Sequence, residues 1–511
     1  MQILIPVLLA SASLYTYFIS KIAPKFQKII NIIVMTIVYF MGYTIFARLY
    51  RSPHSVIETF VSGSWQGKYH HGVGLSQPIG IILRSDMLGS IFLIVIISIA
   101  FLVIIYSHKY IQKTLSDQRS SFYYCLIFLI IAGMSGIVLA GDYFNFYVFF
   151  EISSLSSCAL VAINNDIESL EAAFKYDITM AISSILVIFA ISLLFNATGT
   201  LNMKLASERV ATILGASPHD YLYPYRYVIY TSMTLFIVGF SIKTAIIPTH
   251  AWLADAHPVA PAPISALLSG LLVKTTGIYP LIRFLFGIFR IHSISYRNLL
   301  SDFILFIACV TIISGSLFAI AQKKLKRMLA FSTVAQMGYI LLGIGIITKA
   351  GLAGAILHVI NHAVVKTLLF LCAGAIIYKT GITQIEDMGL LGYRMPITMI
   401  CFSVGACSMV GIPPLVGFMS KWALARAAFE SNMWFLVIIL LISSLLNAIY
   451  YFRVLYISWF GGKPTNVERE DPSLEMIAPI FILALLVIFL GVKIKIPYQK
   501  MAWEAANFIM N

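Results

Sequence analysis

Charge is what this sequence has least of. Only 11% of its 511 residues are charged, whereas 60% are hydrophobic, and the mean hydropathy is +0.91. It has no low-complexity tract, and its longer polar segments, 51–86, 201–226 and 461–475, are too short to bury cores of their own. These features exclude a soluble globular protein and predict a chain that lies mostly within a membrane.

The sequence also lacks the motifs of common catalytic and cofactor sites. Its six cysteines all fall in apolar stretches, without a C-x-x-C pair or ligand spacing, so we interpret them as small buried hydrophobic residues. No G-x-G-x-x-G follows a strand, and neither a P-loop nor a nucleophile elbow is present. We therefore expect no catalytic site, cofactor or metal on this chain.

Apolar runs of about 20 residues, each long enough to cross a bilayer, recur throughout. They predict an all-α polytopic membrane protein with about fourteen transmembrane helices. The expected spans are 1–19, 28–48, 87–107, 122–140, 143–163, 172–195, 227–247, 259–282, 302–321, 329–348, 353–378, 397–425, 434–459 and 474–492. The first run lacks a basic n-region and a cleavage site, so we expect it to be retained as a helix.

The net charge of +14 does not indicate a nucleic-acid partner, because the basic residues are scattered over short loops. They are interpreted as topology signals. The densest cluster is Lys323, Lys324, Lys326 and Arg327, which predicts a cytoplasmic loop. With an even number of spans, this places both termini outside a prokaryotic cell membrane.

Charged residues nevertheless occur inside the apolar stretches. One charge at the bilayer centre costs about 2.5–3.5 kcal/mol, so such residues normally face a protein interior or a wet cavity and mark a path for protons or ions. They are Glu151, Lys243, Lys274, Lys366 and Lys421. The sequence therefore predicts an ion-translocating membrane protein.

Two histidines extend this set. His358, His362 and Lys366 are spaced i, i+4, i+8, so they share one face of the eleventh helix. Neutral imidazole both accepts and donates a proton, which suits a relay. H-x-x-x-H on a helix also suits zinc, but no cysteine or carboxylate completes such a set here. His250, Asp255 and His257 are interpreted as groups that fix a loop.

Simpler interpretations remain for these residues. Lys421 lies near a polar stretch, so its ammonium group could snorkel to the interface. Glu151, Lys243 and Lys274 could form structural ion pairs without transport, and His358 could be a packing histidine.

Prolines interrupt two predicted spans. The seventh leads into GFSIKTAIIPTHAWLADAHP, with Pro248 shortly after Lys243, and the twelfth reads SMVGIPPLVGFMSKWALAR and contains Pro413 and Pro414. Paired broken helices indicate inverted repeats with a transport site at their interface. We expect two inverted five-helix repeats, 122–289 (spans four to eight) and 300–459 (spans nine to thirteen), between N-terminal helices in 1–121 and a C-terminal helix and tail in 474–511.

Several segments resemble a known family. From about residue 141 to about residue 421, the chain is similar to the antiporter-like subunits shared by complex I, membrane-bound hydrogenases and Mrp cation/proton antiporters. The likeness looks closest to the D-type Mrp component and its archaeal counterparts. The segments are GDYFNFYVFFEISSLSSCALVA, FSIKTAIIPTHAWLADAHPVAPAPISALLSGLLVKTTGIYPLIR, KKLKRMLAFSTVAQMGYILLGIG, LHVINHAVVKTLLFLCAGAI and GIPPLVGFMSKW.

The resemblance implies a fourteen-helix fold with inverted repeats and a central polar axis. It assigns Glu151 and Lys243 to a charge pair, Lys274 to a central link, the His362 region to the second half, and Lys421 to the exit side. Some relatives carry glutamate at this last position. The long lateral C-terminal helix of one complex I component is missing here, which argues against that component.

The function expected from these observations is proton translocation within a multisubunit membrane complex. Its partners would be other integral membrane subunits, including homologous antiporter-like ones, and in a redox-driven complex a peripheral module. Iron–sulfur or metal centres would then lie on partner subunits, and the chain would be an enzyme only as part of a membrane-bound oxidoreductase. The alternatives are a Mrp-type sodium/proton antiporter component without a redox partner, and a structural scaffold whose buried charges fix helix register.

Overall fold

The computed structural model describes residues 1–22, 24–65, 79–294, 297–461, 471–492 and 495–510. The central parts of two predicted polar segments, 66–78 and 462–470, lie outside the described residues, as does residue 511 of the predicted tail. Helices make up most of the described chain, together with one pair of strands.

The elements are α1 Leu4–Ile22, α2 Pro24–Arg51, β1 Ile57–Trp65, β2 Ile79–Ser85, α3 Met87–Thr114, α4 Asp117–Leu139, α5 Tyr143–Val161, α6 Ile167–Thr198, α7 Met203–Leu214, α8 Tyr225–Lys243, α9 Ala251–Val259, α10 Ala262–Ile288, α11 Arg297–Ile320, α12 Leu325–Gly345, α13 Lys349–Thr380, α14 Leu391–Arg394, α15 Pro396–Val410, α16 Val416–Glu430, α17 Trp434–Trp459, α18 Leu474–Val492 and α19 Lys495–Met510. Short 3-10 turns cover Ala162–Asn164 and Ile291–Ser293.

The all-α polytopic architecture is confirmed. Within the described ranges, eleven helices are long and apolar enough to cross a membrane, and Leu4–Ser20 and Pro396–Val410 are shorter apolar helices. The number fourteen stays a prediction, because it also counts helices shorter than this length. The strand pair was not expected: β1 and β2 are antiparallel and fall in the polar segment 51–86.

Short polar side chains begin many of these helices. The Asp86 carboxylate accepts the backbone N–H of Gly89 at the start of α3, and that of Asp142 accepts the N–H of Asn145 at the start of α5. Each satisfies a backbone donor that the first turn of a helix leaves unpaired. The loops between spans thus supply the signals that set where the spans begin.

Three helices form the buried centre: α10, α12 and α13. Their apolar windows are 89%, 100% and 94% buried, compared with 33% for the peripheral α17. Helices α10 and α13 approach very closely, because a Cβ atom on Gly270 would lie 2.2 Å from the Thr367 hydroxyl. The centre of the molecule therefore belongs to the helices that carry Lys274, His358, His362 and Lys366.

The helix pairs α5–α6 and α12–α13 have the same backbone contacts at their ends. A single antiparallel bridge joins Asp142 to Asn202 at the ends of the first pair, and another joins Lys324 to Gln384 at the ends of the second. Both α6 and α13 also end at a left-handed glycine, Gly199 or Gly381, a conformation that glycine adopts without steric cost.

Two helices are interrupted in mid-course. α8 ends at Lys243 and α9 begins at Ala251, with Pro248 in the intervening turn. α15 ends at Val410 and α16 begins at Val416, with Pro413 and Pro414 between them. The last carbonyls of a half-helix lack some of their helical partners and can accept hydrogen bonds from side chains. Met409 and Val410 at the end of α15 accept from Lys421, and Ile242 near the end of α8 accepts from the Trp252 indole.

A buried ion pair ties α3 to α10. The Arg283 guanidinium donates to both carboxylate oxygens of Asp86, one of them at 2.8 Å, and it also donates to the Tyr279 hydroxyl at 2.8 Å. The Asp86 side chain is fully buried, and that of Arg283 is 12% exposed. Each charge therefore depends on the other for its solvation.

We expect Asp86→Ala to destabilise the protein by about 3–5 kcal/mol, because it leaves the Arg283 charge buried without its partner. The thermal unfolding midpoint of the purified complex measures this. Glu430→Ala is the control, because it breaks the exposed pair with Arg426, which is worth at most about 1 kcal/mol. Equal midpoints for the two variants would contradict this account of the Asp86 pair.

Candidate functional site

Buried polar side chains line up through the centre of the protein, from α16 through α12 and α13 to α10. Each lysine or histidine in the row is at most 8% exposed. From one end to the other, the members are Lys421, Tyr339, His358, His362, Lys366 and Lys274. Five of the six sequence-predicted lysines and histidines lie in this row. The sixth, Lys243, is buried beside its Lys274 end, because the adjacent Thr244 packs against Gly277 of α10.

Lys421 forms one end of the row. Its ammonium group donates to the carbonyls of Met409 and Val410, at 2.8 and 3.0 Å, and to the Ser444 hydroxyl at 3.2 Å. It also lies 5.0 Å from the ring centre of Tyr339. The side chain thus reaches back to the carbonyl end of α15 and not out to the interface.

His358 continues the row from Tyr339, whose ring stacks on it at 5.3 Å. One imidazole nitrogen lies 2.9 Å from the Ser420 hydroxyl and the other 3.0 Å from the amide oxygen of Gln336. Because both ring nitrogens have hydrogen-bonding partners, His358 joins α12, α13 and α16. The packing role and a relay role use the same contacts.

His362 follows one helical turn later, with its ring centre 6.2 Å from that of His358. Both of its ring nitrogens are buried, and neither has a hydrogen-bonding partner among the described residues. Buried polar atoms without partners are rare in proteins and often mark a functional position or an ordered water. Lys274 and Lys366 both act on this imidazole electrostatically.

Lys366 lies one turn beyond His362 on the same face of α13. Its ammonium group donates to the Leu329 carbonyl at 2.9 Å, to the Ser332 hydroxyl, and to the Tyr451 hydroxyl at 3.3 Å. Ser332 and Tyr451 were not predicted from the sequence. They connect the row to α12 and α17 through groups that both donate and accept.

Lys274 occupies the middle of α10, where the helix is widened. Residues 268–272 and 274–278 follow the i→i+5 hydrogen bonding of a π-helix, a pattern often found at functional sites. The Lys274 ammonium group donates to the Ser269 carbonyl five residues earlier. The Ser269 hydroxyl lies 2.7 Å from that of Thr333 on α12, so polar contacts link these two helices at this level.

Lys243 and Glu151 do not form a direct ion pair in this structure. The Lys243 ammonium group donates to the Ser154 hydroxyl and lies 4.0 Å from the ring centre of Phe150. Phe150 and Ser154 share one face of α5, whereas Glu151 is rotated from that face by about 100°. One carboxylate oxygen of Glu151 is buried and, among the described residues, has no hydrogen-bonding partner.

A second carboxylate near Lys243 was missed from the sequence. Asp177 on α6 is exposed, and its negative charge adds to that of Glu151 in the surroundings of Lys243. It lies ten residues from the start of α6 in a stretch that also contains Glu171 and Lys175, where a charge has an ordinary explanation. Its distance from the helix start is the signal that could have identified it.

Lys326 requires a correction. The sequence places it in a basic cluster that predicts a topology signal, but its side chain is only 7% exposed. Its ammonium group donates to the Pro258 carbonyl at 3.2 Å and to the Ala260 carbonyl. It therefore binds the carbonyl end of α9. His257 in the same helix is fully buried and stacks on Phe370 at 4.6 Å.

No group of three or more histidine, cysteine, aspartate or glutamate side chains is arranged to hold a metal ion in the part of the chain that the structure describes. In the H-x-x-x-H pair, the ring nitrogens of His358 face Ser420 and Gln336, and Lys366 follows His362. The imidazole and ammonium groups of these three residues can exchange protons and form hydrogen bonds.

The fold and the buried ionisable groups place this chain in the class of polytopic membrane proteins whose interior holds such groups away from lipid. Within that class, this chain belongs to the NADH:quinone oxidoreductase/Mrp antiporter transmembrane family, whose model matches residues 140–447. The predicted resemblance is confirmed. The match includes all the sequence-predicted site residues.

The relatives include components of different complexes. The chain is 34% identical over 451 residues to the N subunit of NADH-quinone oxidoreductase from Desulforudis audaxviator, covering 86% of each chain. It is 32% identical to the D subunit of the Na(+)/H(+) antiporter from Alkalihalophilus pseudofirmus, covering 87% of this chain and 84% of the relative. A chain of the archaeal membrane-bound sulfane sulfur reductase has 29% identity and a TM-score of 0.87, with 100% of this chain and 98% of that chain covered.

We expect Lys326→Met to prevent assembly or to lower the yield of the folded complex several-fold, because two buried carbonyls lose their donor. Lys323→Met makes the same change at an exposed neighbouring lysine and should leave the yield unchanged. Size-exclusion chromatography of both variants measures this. Normal assembly of Lys326→Met would show that its carbonyl contacts are dispensable.

Proposed function

We propose that this chain translocates protons along the buried row, as a subunit of a multisubunit membrane complex. The observation that carries the proposal is the succession of protonatable side chains through the centre of the fold. From Lys421 to His362, neighbouring members lie 5.0–6.2 Å apart, measured to ring centres. A single hydroxyl or water suffices to bridge such a gap.

The chemistry follows from what holds each lysine. Carbonyl and hydroxyl oxygens bind the ammonium groups of Lys274, Lys366 and Lys421. An approaching carboxylate or second cation changes the proton affinity of such a group. Proton transfer at one lysine therefore alters the next, and neutral imidazole at His358 and His362 passes the proton between them.

Glu151 supplies the switch at Lys243, beside the Lys274 end of the row, and the exposed Asp177 adds a second negative charge that solvent screens. Both carboxylates act on Lys243, while its ammonium group is held by Ser154 and Phe150. A direct Glu151–Lys243 pair would form in a second state after a rotation of the lysine side chain. The unpartnered oxygen of Glu151 supports this exchange of partners.

We also propose that residues 122–289 and 300–459 are the two inverted repeats. The matching bridges at the ends of α5–α6 and α12–α13 support this, as do the two interrupted helices. Lys243 precedes the break in its helix and Lys421 follows the break in the other, yet both ammonium groups lie near the end of the first half-helix. Lys243 is the last residue of α8, and Lys421 reaches back to the last carbonyls of α15.

The partners inferred for this chain are other integral membrane subunits, including antiporter-like ones. One relative is named for NADH:quinone oxidoreduction and a neighbour for sulfur reduction, which supports coupling to redox centres on partner subunits. The Na(+)/H(+) antiporter relative supports the second candidate, a cation/proton antiporter component without redox partners. Copurification with a subunit that contains iron–sulfur clusters would favour the first.

The location that fits best is the prokaryotic cell membrane, with both termini outside. The loop before α12 and the first turn of that helix support this orientation, because Lys323, Lys324 and Arg327 are exposed there and positive charge favours the cytoplasmic side. Lys326 belongs to the same cluster in the sequence but is buried in the folded protein.

Lys274→Met is the most direct test of proton translocation. It removes the central protonatable group while retaining much of the side-chain volume, so we expect coupled proton transport in vesicles to fall at least about tenfold, equivalent to about 1.4 kcal/mol in the barrier. Lys323→Met is the matched control and should transport normally. If Lys274→Met assembled and transported protons at the normal rate, the scaffold interpretation would replace this one.

A further inference from the structure

A cavity of about 220 Å³ opens between α7, the end of α10 and the end of α19. It lies apart from the buried row, and the proposed proton path does not use it. The residues that line it are Arg84, Met203, Lys204, Ser207, Glu208, Arg283, Phe286, Gly287, Ile288, Arg290, His292, Phe508 and Ile509.

The polar side of this cavity is basic. Arg84, Lys204, Arg283 and Arg290 line it, whereas Glu208 is its one acidic lining residue among those described. Asp86 neutralises Arg283, and Glu58 lies beside Arg84 outside the lining. Even with both of these carboxylates counted, the charges of Lys204 and Arg290 exceed that of Glu208.

The arginine side chains at the cavity have N–H donors that are available to a ligand. The Nε atom of Arg84 is buried without a hydrogen-bonding partner among the described residues, and its guanidinium group lies 3.9 Å from both Glu58 and Asp86. Arg290 donates through Nε to the Ser207 hydroxyl at 3.1 Å, which fixes its planar fork at the cavity. A fixed guanidinium group suits bidentate binding of a phosphate.

His292 completes the polar lining. Burial lowers the pKa of its imidazole, and the nearby Arg290 lowers it further. The ring is therefore neutral near pH 7 and offers one N–H donor. Its Nδ1 atom is buried and has no partner among the described residues.

The other side of the cavity is apolar and lies level with the end of a membrane-spanning helix. Phe286, Ile288, Phe508 and Ile509 form this side. The membrane-spanning helix α10 ends at Ile288, and α3 begins at Met87 beside Asp86. Span ends lie where hydrocarbon meets the lipid headgroups, so a ligand here would meet basic side chains and apolar surface together.

We propose that this cavity binds the phosphate group of an anionic phospholipid. The volume accommodates a phosphate with its adjoining glycerol atoms, and the acyl chains would leave the cavity past Phe508, the one residue of the apolar side that is only partly buried. The basic groups bind the phosphate, and the apolar side distinguishes a lipid from free inorganic phosphate. The bound lipid would hold the end of α19 against α7 and α10.

The test uses the purified complex that contains this chain, after detergent delipidation. Dioleoylphosphatidylglycerol and dioleoylphosphatidylcholine are titrated separately, and bound lipids are counted by native mass spectrometry, with inorganic phosphate added as a competitor. The variants are Arg290→Gln and Lys204→Gln, and Lys204 is exposed, so its replacement should not disturb folding. Arg119→Gln and Lys323→Gln make the same changes at exposed positions away from the cavity.

We expect one phosphatidylglycerol site per chain to lose roughly tenfold or more in affinity in Arg290→Gln, because charge-assisted hydrogen bonds are lost. Lys204→Gln should weaken the same site, and both control variants should match the unaltered protein. Equal losses in the control variants, or equal binding of the two lipids at this site, would overturn the proposal. Displacement by millimolar inorganic phosphate would assign the cavity to a free anion and would overturn the lipid assignment.

Discussion

The solvation of four buried ammonium groups by oxygen atoms of the protein is the constraint on which the centre of this molecule depends. Each lysine is bound by a carbonyl or hydroxyl, and no ion pair among the described residues includes any of them. The lysines are Lys243, Lys274, Lys366 and Lys421, with Ser154, Ser269, Leu329 and Met409 among their acceptors. Lipid offers no such acceptors, so the protein must supply them.

This requirement explains where the helices depart from regular geometry. Carbonyls in a regular helix are already paired, whereas an interrupted or widened helix has carbonyls available for a side chain. Lys421 uses those at the end of α15, Lys326 those at the end of α9, and Lys274 one within the widened turns of α10. The same irregularities that permit these charges to be buried also provide polar connections between neighbouring helices.

Much of this arrangement could be predicted from the sequence because membranes penalise charge so strongly. A lysine in the middle of a long apolar run cannot reach water at either end of the span, so it must lie in the protein interior. Lys274 and Lys366 could therefore be identified from the sequence alone. Asp177 and Lys326 were missed because they lie near polar segments, where a charge has an ordinary explanation. The contact of Lys243 with Ser154 could not be predicted either, because side-chain partners depend on how each helix is rotated about its axis. A helix that is apolar on all sides has no sequence pattern that indicates this rotation.

The central claim is that these buried groups act by exchanging protons and not by holding helices together. Proton transport by Lys421→Glu and Lys421→Met, measured in vesicles with assembly verified for both, tests this most directly. A carboxylate can exchange protons and a thioether cannot, so the account predicts that Lys421→Glu retains transport while Lys421→Met loses it about tenfold or more, or about 1.4 kcal/mol in barrier. Normal transport by assembled Lys421→Met would contradict the account.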